Sequence, residues 1–371
     1  MAARGLDALV VSDPSNMAWL TGYDGWSFYV HQAVVVLHDA EPLWWGRGQD
    51  AAGARRTVWM GEDRIVGYPD AYVQSTERHP MQHLAARLRD AGHGRARLGV
   101  ELDNYWYSAA ADRALGAALP DARIADATAL VNWQRAVKSE PELAYMRRAA
   151  RIVERMHDVI RAEMRPGVRK CDLVAKITAA GIEGTGEHGG DYPAIVPLLP
   201  TGRDAAAPHL TWDDKPLERG AGTFFEIAGC HRRYHAPLCR TVHLGPPPPV
   251  MRDAERALLD GLEAGLDAAR AGNRACDVAD ALRAALARAG IRREARCGYP
   301  IGLSYPPDWG ERTISFRAED TTVLEPGMTF HFMPGLWMDD WGLEITESIV
   351  IREQGPAECL ADYPRELVVV D

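Results

Sequence analysis

Carboxylates and imidazoles recur in two strand-rich blocks in the second half of this chain. The first block contains Glu226 and His235, and the second contains His331 and Glu344. A carboxylate can pair with the N–H groups of a planar amidinium cation and polarise its carbon. A histidine with a pKa near neutrality can deprotonate water and then protonate a leaving nitrogen. If the fold brings them together, residues of these types are suited to hydrolysis of a C–N bond, including that of an amidine.

The elements that must position these side chains are two hairpin-like blocks, Thr223 to His243 and Thr329 to Ile351. Helical segments, predicted for Met251 to Ala271 and Cys276 to Ala289, frame the β-rich remainder. Two halves that each combine helices with paired strands predict an α+β fold with a pseudo-symmetric sheet and a central cleft.

A domain boundary is predicted near residue 139. Ser139 fits a helix cap, Pro141 lies in the first turn, and Glu142 follows the cap by three residues, as in a capping box. Apolar residues then keep a helical period until Pro166-Gly167. We therefore predict domains at residues 1–138 and 139–371.

The first domain mixes short apolar runs with a helical segment, which predicts an α/β fold. The predicted strands are Gly5 to Val11, Gln32 to His38, Glu41 to Trp45 and Ala96 to Leu102, and the predicted helix is Met81 to Ala91.

Composition narrows the class of protein. A formal net charge of -10 disfavours nucleic acid as a partner, because nucleic acid needs a basic surface. The six cysteines include no CxxC pair that would indicate a zinc or redox site. The glycine-rich run from Gly181 to Gly190 lacks the spacing of a phosphate-binding loop. Without an apolar leader or spanning segment, we expect a cytoplasmic protein with reduced thiols, neither secreted nor inserted in a membrane.

Several motifs, in order along nearly the whole chain, resemble the creatinase/prolidase family, whose catalytic domain has the pita-bread fold. They are Ser15 to Tyr23, Lys138 to Ala150, Pro208-His209, Tyr234, Arg240-Thr241, Gly298 to Gly302, Gly327-Met328, Pro334-Gly335 and Gly342 to Ile351. The resemblance implies an α/β N-terminal domain followed by an α+β pita-bread domain. Because family members usually have a helix before the first strand, we expect the natural start to lie upstream.

Most members of this family are dimetal peptidases with two Asp, one His and two Glu as ligands. The corresponding positions are Glu226, Pro237, Tyr299, Met333 and Thr346. Four of these side chains are poor ligands for a hard cation. The resemblance therefore implies a member without a metal or other cofactor, and it argues against peptidase activity.

Strand alternation extends the cleft from these positions, because residues two apart share a face of the sheet. The predicted floor of the cleft consists of Glu226, His235, Cys239, His331 and Glu344, with Tyr299 and His209 from adjoining segments. A register shift of one residue would exchange Glu344 for Glu347.

The resemblance also implies roles. His209 matches the family's catalytic histidine and is the predicted general acid/base. Glu226 is either a general base or a covalent nucleophile, unless Arg240 holds it as a structural ion pair. Glu344 is predicted to anchor the amidinium, and Cys239 is more readily a buried filler than a nucleophile.

The predicted substrate-binding residues are His235, Tyr299, His331, Trp337, Tyr305 and Trp26. Trp309, Trp337 and Trp341 either enclose a flat substrate ring or belong to the core. Arg232 and Arg233 are candidates for binding a substrate carboxylate. Since the family is commonly dimeric, the resemblance implies a homodimer in which Trp26 and Tyr29 reach the partner's cleft.

Four stretches resemble a subgroup of the family that hydrolyses ectoine, a cyclic amidine carrying a carboxylate. They are His209 to Asp214, Cys230 to Leu238, Gly298 to Gly310 and Phe330 to Trp337. The resemblance implies ring opening to N-acetyl-2,4-diaminobutyrate without a metal. The alternatives are a creatinase-like amidinohydrolase, a non-catalytic pseudo-peptidase that binds a small ligand or a protein, and a residual metallopeptidase.

Overall fold

The computed structural model describes residues 1–371, which divide into two compact units, Met1–Gln134 and Arg135–Asp371. The first unit is an α/β domain around one six-stranded mixed sheet. Its strands are β1 (Ala8–Val11), β2 (Ala33–Leu37), β3 (Leu43–Arg47), β4 (Ile65–Tyr68), β5 (Arg97–Val100) and β6 (Arg123–Asp126). Its helices are α1 (Pro14–Thr21), α2 (Ala51–Thr57), α3 (Pro80–Asp90), α4 (Ala109–Ala118) and α5 (Leu130–Gln134).

Burial on both faces explains the apolar composition of the central strand β1. This strand pairs antiparallel with β2 and parallel with β5, and all four of its residues are buried. Separate apolar clusters cover the two sides of the sheet, with Val10 in one and Leu9 in the other. The predicted hairpin of β2 and β3 and the predicted helix α3 are confirmed.

The second unit is α+β. Its helices are α6 (Glu140–Glu163), α7 (Lys170–Glu183), α8 (Pro249–Ala268) and α9 (Ala275–Arg288). Its strands are β7 (Gly222–His231), β8 (Tyr234–Leu244), β9 (Gly298–Pro300), β10 (Thr329–Phe332), β11 (Gly335–Trp337), β12 (Gly342–Glu344), β13 (Glu347–Val350), β14 (Glu358–Cys359) and β15 (Val368–Val370). None of the helices in the chain is both long and apolar enough to cross a membrane.

The predicted capping box begins the long helix α6. The Glu142 carboxylate accepts hydrogen bonds from the Ser139 amide and hydroxyl, both at 2.7 Å. This helix packs closely on β7, where a Cβ at Gly229 would lie 2.0 Å from the carbonyl oxygen of Ala149. Glycine at position 229 is therefore required for the contact.

The first predicted block is confirmed as a ten-residue antiparallel ladder between β7 and β8. Its two-residue turn has Arg232 and Arg233 at φ 51° and 65°, the left-handed pair that matches the twist of a hairpin. Nearly every residue of both strands is buried, so polar side chains on them lie inside the domain.

The second block is not one simple hairpin. β10 pairs with β13 and, on its other side, with β9. The intervening β11 and β12 form a separate two-stranded hairpin. This inserted hairpin brings Glu344 opposite Gly335, and so places a carboxyl group near the floor formed by β7 and β8.

Candidate active site

Glu226 occupies the middle of β7, directly opposite Cys239 of β8. Its side chain is buried, with 6% of the residue exposed. Oε1 lies 3.9 Å from Nδ1 of His331, which belongs to the facing strand β10. The structure thus brings together the carboxylate and the imidazole that alternation placed on one cleft floor.

A chain of hydrogen bonds fixes the His331 ring. The Tyr299 hydroxyl lies 2.9 Å from Nδ1, and the Thr346 hydroxyl lies 2.7 Å from Nε2. The Trp309 indole N–H donates to the Tyr299 oxygen at 2.8 Å, and the Cys239 amide donates to the Thr346 oxygen at 2.8 Å. Burial lowers the pKa of His331 to about 3, with the Arg296 charge as a smaller cause. The ring is therefore neutral and serves as a fixed hydrogen-bonding wall.

The same contacts test whether this cleft fits the metals of the family. Tyr299 and Thr346, at two of the family's ligand positions, use their hydroxyls within the hydrogen-bond chain around His331. Pro237 and Met333 offer no carboxylate at two others. No group of three His, Cys, Asp or Glu side chains comes together in an arrangement that could hold a metal ion. The donor set does not fit a dimetal centre.

Glu344 is the second carboxyl group of the site. The residue is fully buried, and neither carboxyl oxygen has a hydrogen-bond partner of normal geometry, although the Cys239 thiol lies near enough to interact with it. Space for this side chain comes from Gly335, where a Cβ would lie 3.3 Å from Cγ of Glu344 and 2.9 Å from the Trp337 ring. An unpartnered buried carboxyl group is costly, which points to a ligand rather than to a structural role.

Burial sets the protonation of both carboxyl groups. Desolvation, followed by the nearby charge of Asp308, raises the pKa of Glu226 to about 7. Desolvation, followed by the charge of Glu226, raises the pKa of Glu344 well above its usual range. Two carboxyl groups that repel each other in a dry site divide into one acid and one base. Glu226 is therefore the group that ionises near neutral pH, while Glu344 retains its proton.

The structure separates Glu344 from its competitor Glu347. Oε1 of Glu347 lies 2.7 Å from Nη2 of Arg240 and 3.0 Å from Nε of Arg365. Arg240 is thereby paired with Glu347 and not with Glu226. This geometry favours Glu344 as the residue of the cleft and leaves Glu226 without the structural ion pair.

The Cys239 thiol has the character of a buried filler. Burial, followed by the charge of Glu344, raises its pKa well above the usual value, so the thiolate needed for attack is not formed at neutral pH.

His235 is fully buried, and both of its ring nitrogens face protein groups. Nε2 accepts the Ala194 amide at 2.9 Å, and Nδ1 lies 4.0 Å from Sγ of Cys230. Desolvation, followed by the charge of Arg233, lowers its pKa to about 3. Its ring packs 6.4 Å from that of Trp309. A neutral His235 can position the segment around Ala194, and direct contact with substrate stays a prediction.

His209 lies outside the buried cluster, in an exposed irregular segment before β7, and its side chain makes no hydrogen bond. The same segment does reach the cleft wall a few residues earlier. Ala205, in the 3-10 helix Gly202–Ala206, packs with Phe224, Cys239 and Trp337. A role for His209 in proton transfer therefore remains a prediction.

The aromatic candidates occupy different places. Trp309 is fully buried and bonded to Tyr299, so it belongs to the site wall. Trp337 is half-buried beside Glu344, and its indole N–H has no partner. Trp341 instead packs against the main apolar core of the second unit. Trp26, in the first unit, is 58% exposed.

Both arginines that were predicted to bind a substrate carboxylate lie in the turn between β7 and β8. Arg233 is buried, donates to the carbonyls of Tyr192 and Ser304, and stacks 4.7 Å from the centroid of the Tyr305 ring. Tyr305 is thus part of the packing around this guanidinium. Arg232 is exposed in the turn. Neither arginine forms part of the cluster around Glu226.

Sequence reasoning missed two charged residues of the site. Arg296 is exposed, and its guanidinium carbon lies 4.7 Å from the centroid of the Tyr299 ring. Asp308 is close enough to raise the pKa of Glu226. Asp308 could have been found from the sequence, because it directly precedes the site residue Trp309. Arg296 could not, because it lies in a loop without a periodic pattern.

Comparison with known proteins defines the class. Residues 144–353 match metallopeptidase family M24, and residues 1–137 match the creatinase/prolidase N-terminal domain. The chain belongs to this family, which confirms the predicted family and two-domain fold. It is 60% identical to the ectoine hydrolase of Halomonas elongata, over 100% of this chain and 94% of that protein.

More distant relatives support the same fold. An uncharacterized hydrolase/peptidase of Sinorhizobium fredii is 43% identical over 100% of this chain and 95% of its own length. The crystal structure of an X-Pro aminopeptidase from Thermotoga maritima superposes with a TM-score of 0.83 at 20% identity, covering 100% of this chain and 97% of that one. This last similarity establishes the architecture alone.

Proposed function

We propose that this chain is an ectoine hydrolase, which opens the cyclic amidine to N-acetyl-2,4-diaminobutyrate. The observation that carries the proposal is the fully buried, unpartnered carboxyl group of Glu344 beside Glu226. A planar amidinium cation supplies the positive charge and the N–H donors that this pair lacks. The 60% identity to a named ectoine hydrolase supports the same substrate.

Substrate binding changes the protonation of the site. The incoming cation favours the charged form of the carboxyl groups and so lowers the pKa of Glu226 below its free value of about 7. Near neutral pH, substrate binding therefore shifts Glu226 toward its ionised form. The dry surroundings strengthen this attraction, because few water molecules screen the charges.

Ring opening needs attack at the amidine carbon and a proton on the leaving nitrogen. In one route ionised Glu226 removes a proton from water, and the hydroxide adds to that carbon. In the other, Glu226 adds directly, and water then cleaves the acyl intermediate. Either route consumes one water, breaks one ring C–N bond and leaves an N-acetyl group.

Neutral His331 holds position through Tyr299 and Thr346 rather than acting as the base, since its pKa is about 3. We propose Glu344 as the amidinium anchor, and His209 as the group that carries the proton to the leaving nitrogen. Trp309 and Trp337 provide flat walls beside the ring.

We further propose that the reaction is independent of metal, in keeping with the donor set at the family's ligand positions. The protein is proposed to work in the cytoplasm as a homodimer. In that dimer the exposed Trp26 and Tyr29 would lie near the partner's cleft. Sedimentation velocity tests the oligomer, and a slower turnover for Trp26→Ala would support its contribution.

The test is ring opening by purified protein that has been treated with chelator, followed by proton NMR. Appearance of N-acetyl-2,4-diaminobutyrate from ectoine, abolished by Glu226→Gln, is the expected result. Creatine serves as the comparison substrate for a creatinase-like amidinohydrolase. Turnover of creatine but not ectoine, binding of ectoine without turnover, or activity only after metal addition would overturn the proposal.

A further inference from the structure

We infer that Arg296 binds the carboxylate of the substrate and thereby orients the ring over Glu226. The inference rests on the proposed function, because it concerns recognition by that same site. Arg296 is exposed and makes no hydrogen bond or ion pair through its guanidinium. Its side chain stacks on the Tyr299 ring, with the guanidinium carbon 4.7 Å from the ring centroid.

The stack connects Arg296 to the reacting centre through two short steps. The Tyr299 hydroxyl lies 2.9 Å from Nδ1 of His331, and that atom lies 3.9 Å from Oε1 of Glu226. Tyr299 is itself held by the indole N–H of Trp309 at 2.8 Å. A guanidinium stacked on an anchored aromatic ring keeps its N–H edge free for an anion.

The other arginines around the second sheet already have their donors occupied. Arg240 bonds Glu347 and the carbonyls of Cys239 and Thr346. Arg293 is surrounded by backbone carbonyls, including that of Gly335 at 2.8 Å.

Arg233 donates to two backbone carbonyls in the hairpin region. Arg296 is therefore the arginine near the cluster with a free guanidinium.

The substrate has charges that match this arrangement. Ectoine carries its carboxylate on the ring carbon next to one amidine nitrogen, so its negative and positive groups point in different directions. The carboxyl groups of Glu226 and Glu344 are buried, whereas Arg296 is exposed and reaches the cluster through its stack on Tyr299. Carboxyl groups on one side and a guanidinium on the other select cyclic amidines that bear a carboxylate. The same arrangement fixes which ring nitrogen faces the carboxyl groups.

The experiment compares Arg296→Gln with the wild-type protein on two ligands. One is ectoine, measured by kcat/KM. The other is 2-methyl-1,4,5,6-tetrahydropyrimidine, the same ring without the carboxylate, measured by its inhibition constant against ectoine hydrolysis. Arg292→Gln is the matched control, because Arg292 is an exposed arginine nearby whose partner is Glu294. Circular dichroism checks the fold, and Arg296→Lys tests whether charge alone restores binding.

We expect Arg296→Gln to lower kcat/KM for ectoine roughly 10- to 100-fold, mainly through KM. The inhibition constant of the ring without the carboxylate should change less than about threefold. Arg296→Lys should recover part of the loss, and Arg292→Gln should match the wild type. Equal losses for both ligands, or no loss for ectoine, would overturn the inference while leaving the proposed function intact. A wild-type protein inactive on ectoine would overturn both.

Discussion

Nη2 of Arg240 lies 2.7 Å from Oε1 of Glu347, and both side chains are only 1% exposed. This ion pair joins β8 to β13 in the middle of the second unit. It satisfies Glu347, whereas Glu344, three residues earlier, keeps two unpartnered oxygens. The two glutamates therefore differ in their surroundings: Glu347 is held in an ion pair between two strands, whereas the Glu344 carboxyl group has no such partner, as our proposal that it binds the amidinium requires.

Substitution by glutamine should affect stability at Glu347 and substrate binding at Glu344. Glu347→Gln leaves the Arg240 charge buried without its partner, which should lower the free energy of unfolding by about 3 kcal/mol. Glu344→Gln should leave stability within about 1 kcal/mol of wild type and raise KM for ectoine. Urea denaturation and steady-state kinetics measure both effects. The roles of the two residues would have to be exchanged if Glu347→Gln were as stable as wild type but had a raised KM, while Glu344→Gln had a wild-type KM.

Glu226→Gln should reduce kcat at least about 10³-fold, because the amide can neither remove a proton from water nor attack the substrate. Its shape is preserved, and the Glu226 carboxylate makes no hydrogen bond that the fold requires, so the melting temperature should not fall. Rapid-quench kinetics and thermal denaturation measure the two quantities. Residual activity within tenfold of wild type would assign the chemistry to another group.

The pH profile follows from the raised pKa of Glu226, which is about 7 in the free protein. Since the ionised form is the active one, kcat/KM should rise about tenfold per pH unit below pH 7 and level off above it. The kcat profile should turn at lower pH, because the bound cation stabilises the carboxylate. The His331→Gln variant should retain the inflection near pH 7, because burial lowers the pKa of the His331 imidazole to about 3. Loss of the inflection would assign it to His331.

The same ionisation should affect stability. The folded-state pKa of Glu226 is raised from 4.5 to about 7, so the folded protein holds a proton that the unfolded chain loses between these values. The contribution to stability is fully present below pH 4.5 and decreases as the pH rises through 7. Glu226→Gln should reduce this decrease, as measured by denaturation at several pH values.

Tyr299→Phe should lower the free energy of unfolding by about 2 kcal/mol, because the Trp309 indole N–H and Nδ1 of His331 lose their shared partner. Activity should also fall as the His331 ring loses its fixed orientation. Tyr145→Phe is the control, since the Tyr145 hydroxyl makes no hydrogen bond and its ring contacts Tyr234. Equal stability of the two variants would contradict the hydrogen-bond chain.

His209→Ala should lower kcat about 10²-fold or more if His209 protonates the leaving nitrogen. The side chain is exposed and unbonded, so the melting temperature should stay at the wild-type value. An unchanged kcat would transfer the acid role to protonated Glu344.

Local signals predicted much of the fold. The Ser139–Glu142 capping box and the helical period gave the start of α6 correctly, because both depend on neighbours along the chain. The family's ligand positions, extended by strand alternation, placed His331 near Glu226. The hairpin of β11 and β12 was not predicted, since its strands are three residues long and leave too few positions for a period.

The sequence could not predict which charged residues form ion pairs or which side chains are buried. Arg240 and Glu347 are far apart along the chain, and only the packing of β8 against β13 determines that they meet. The pKa values of Glu226 and Glu344 depend on desolvation, which is a property of the folded protein. For the same reason Arg296, in an irregular loop, could be recognised only from its stack on Tyr299.

The lone carboxyl group of Glu344 has a consequence for the lifetime of the protein. Without ligand, the buried Glu344 carboxyl group destabilises the folded state because its oxygens lack hydrogen-bond partners. A bound cation supplies those partners and so stabilises the fold. Any ligand that prefers the native state withdraws molecules from the unfolded pool that proteases degrade. Ectoine would therefore protect the enzyme that destroys it, so that the amount of enzyme rises and falls with its supply even at constant synthesis.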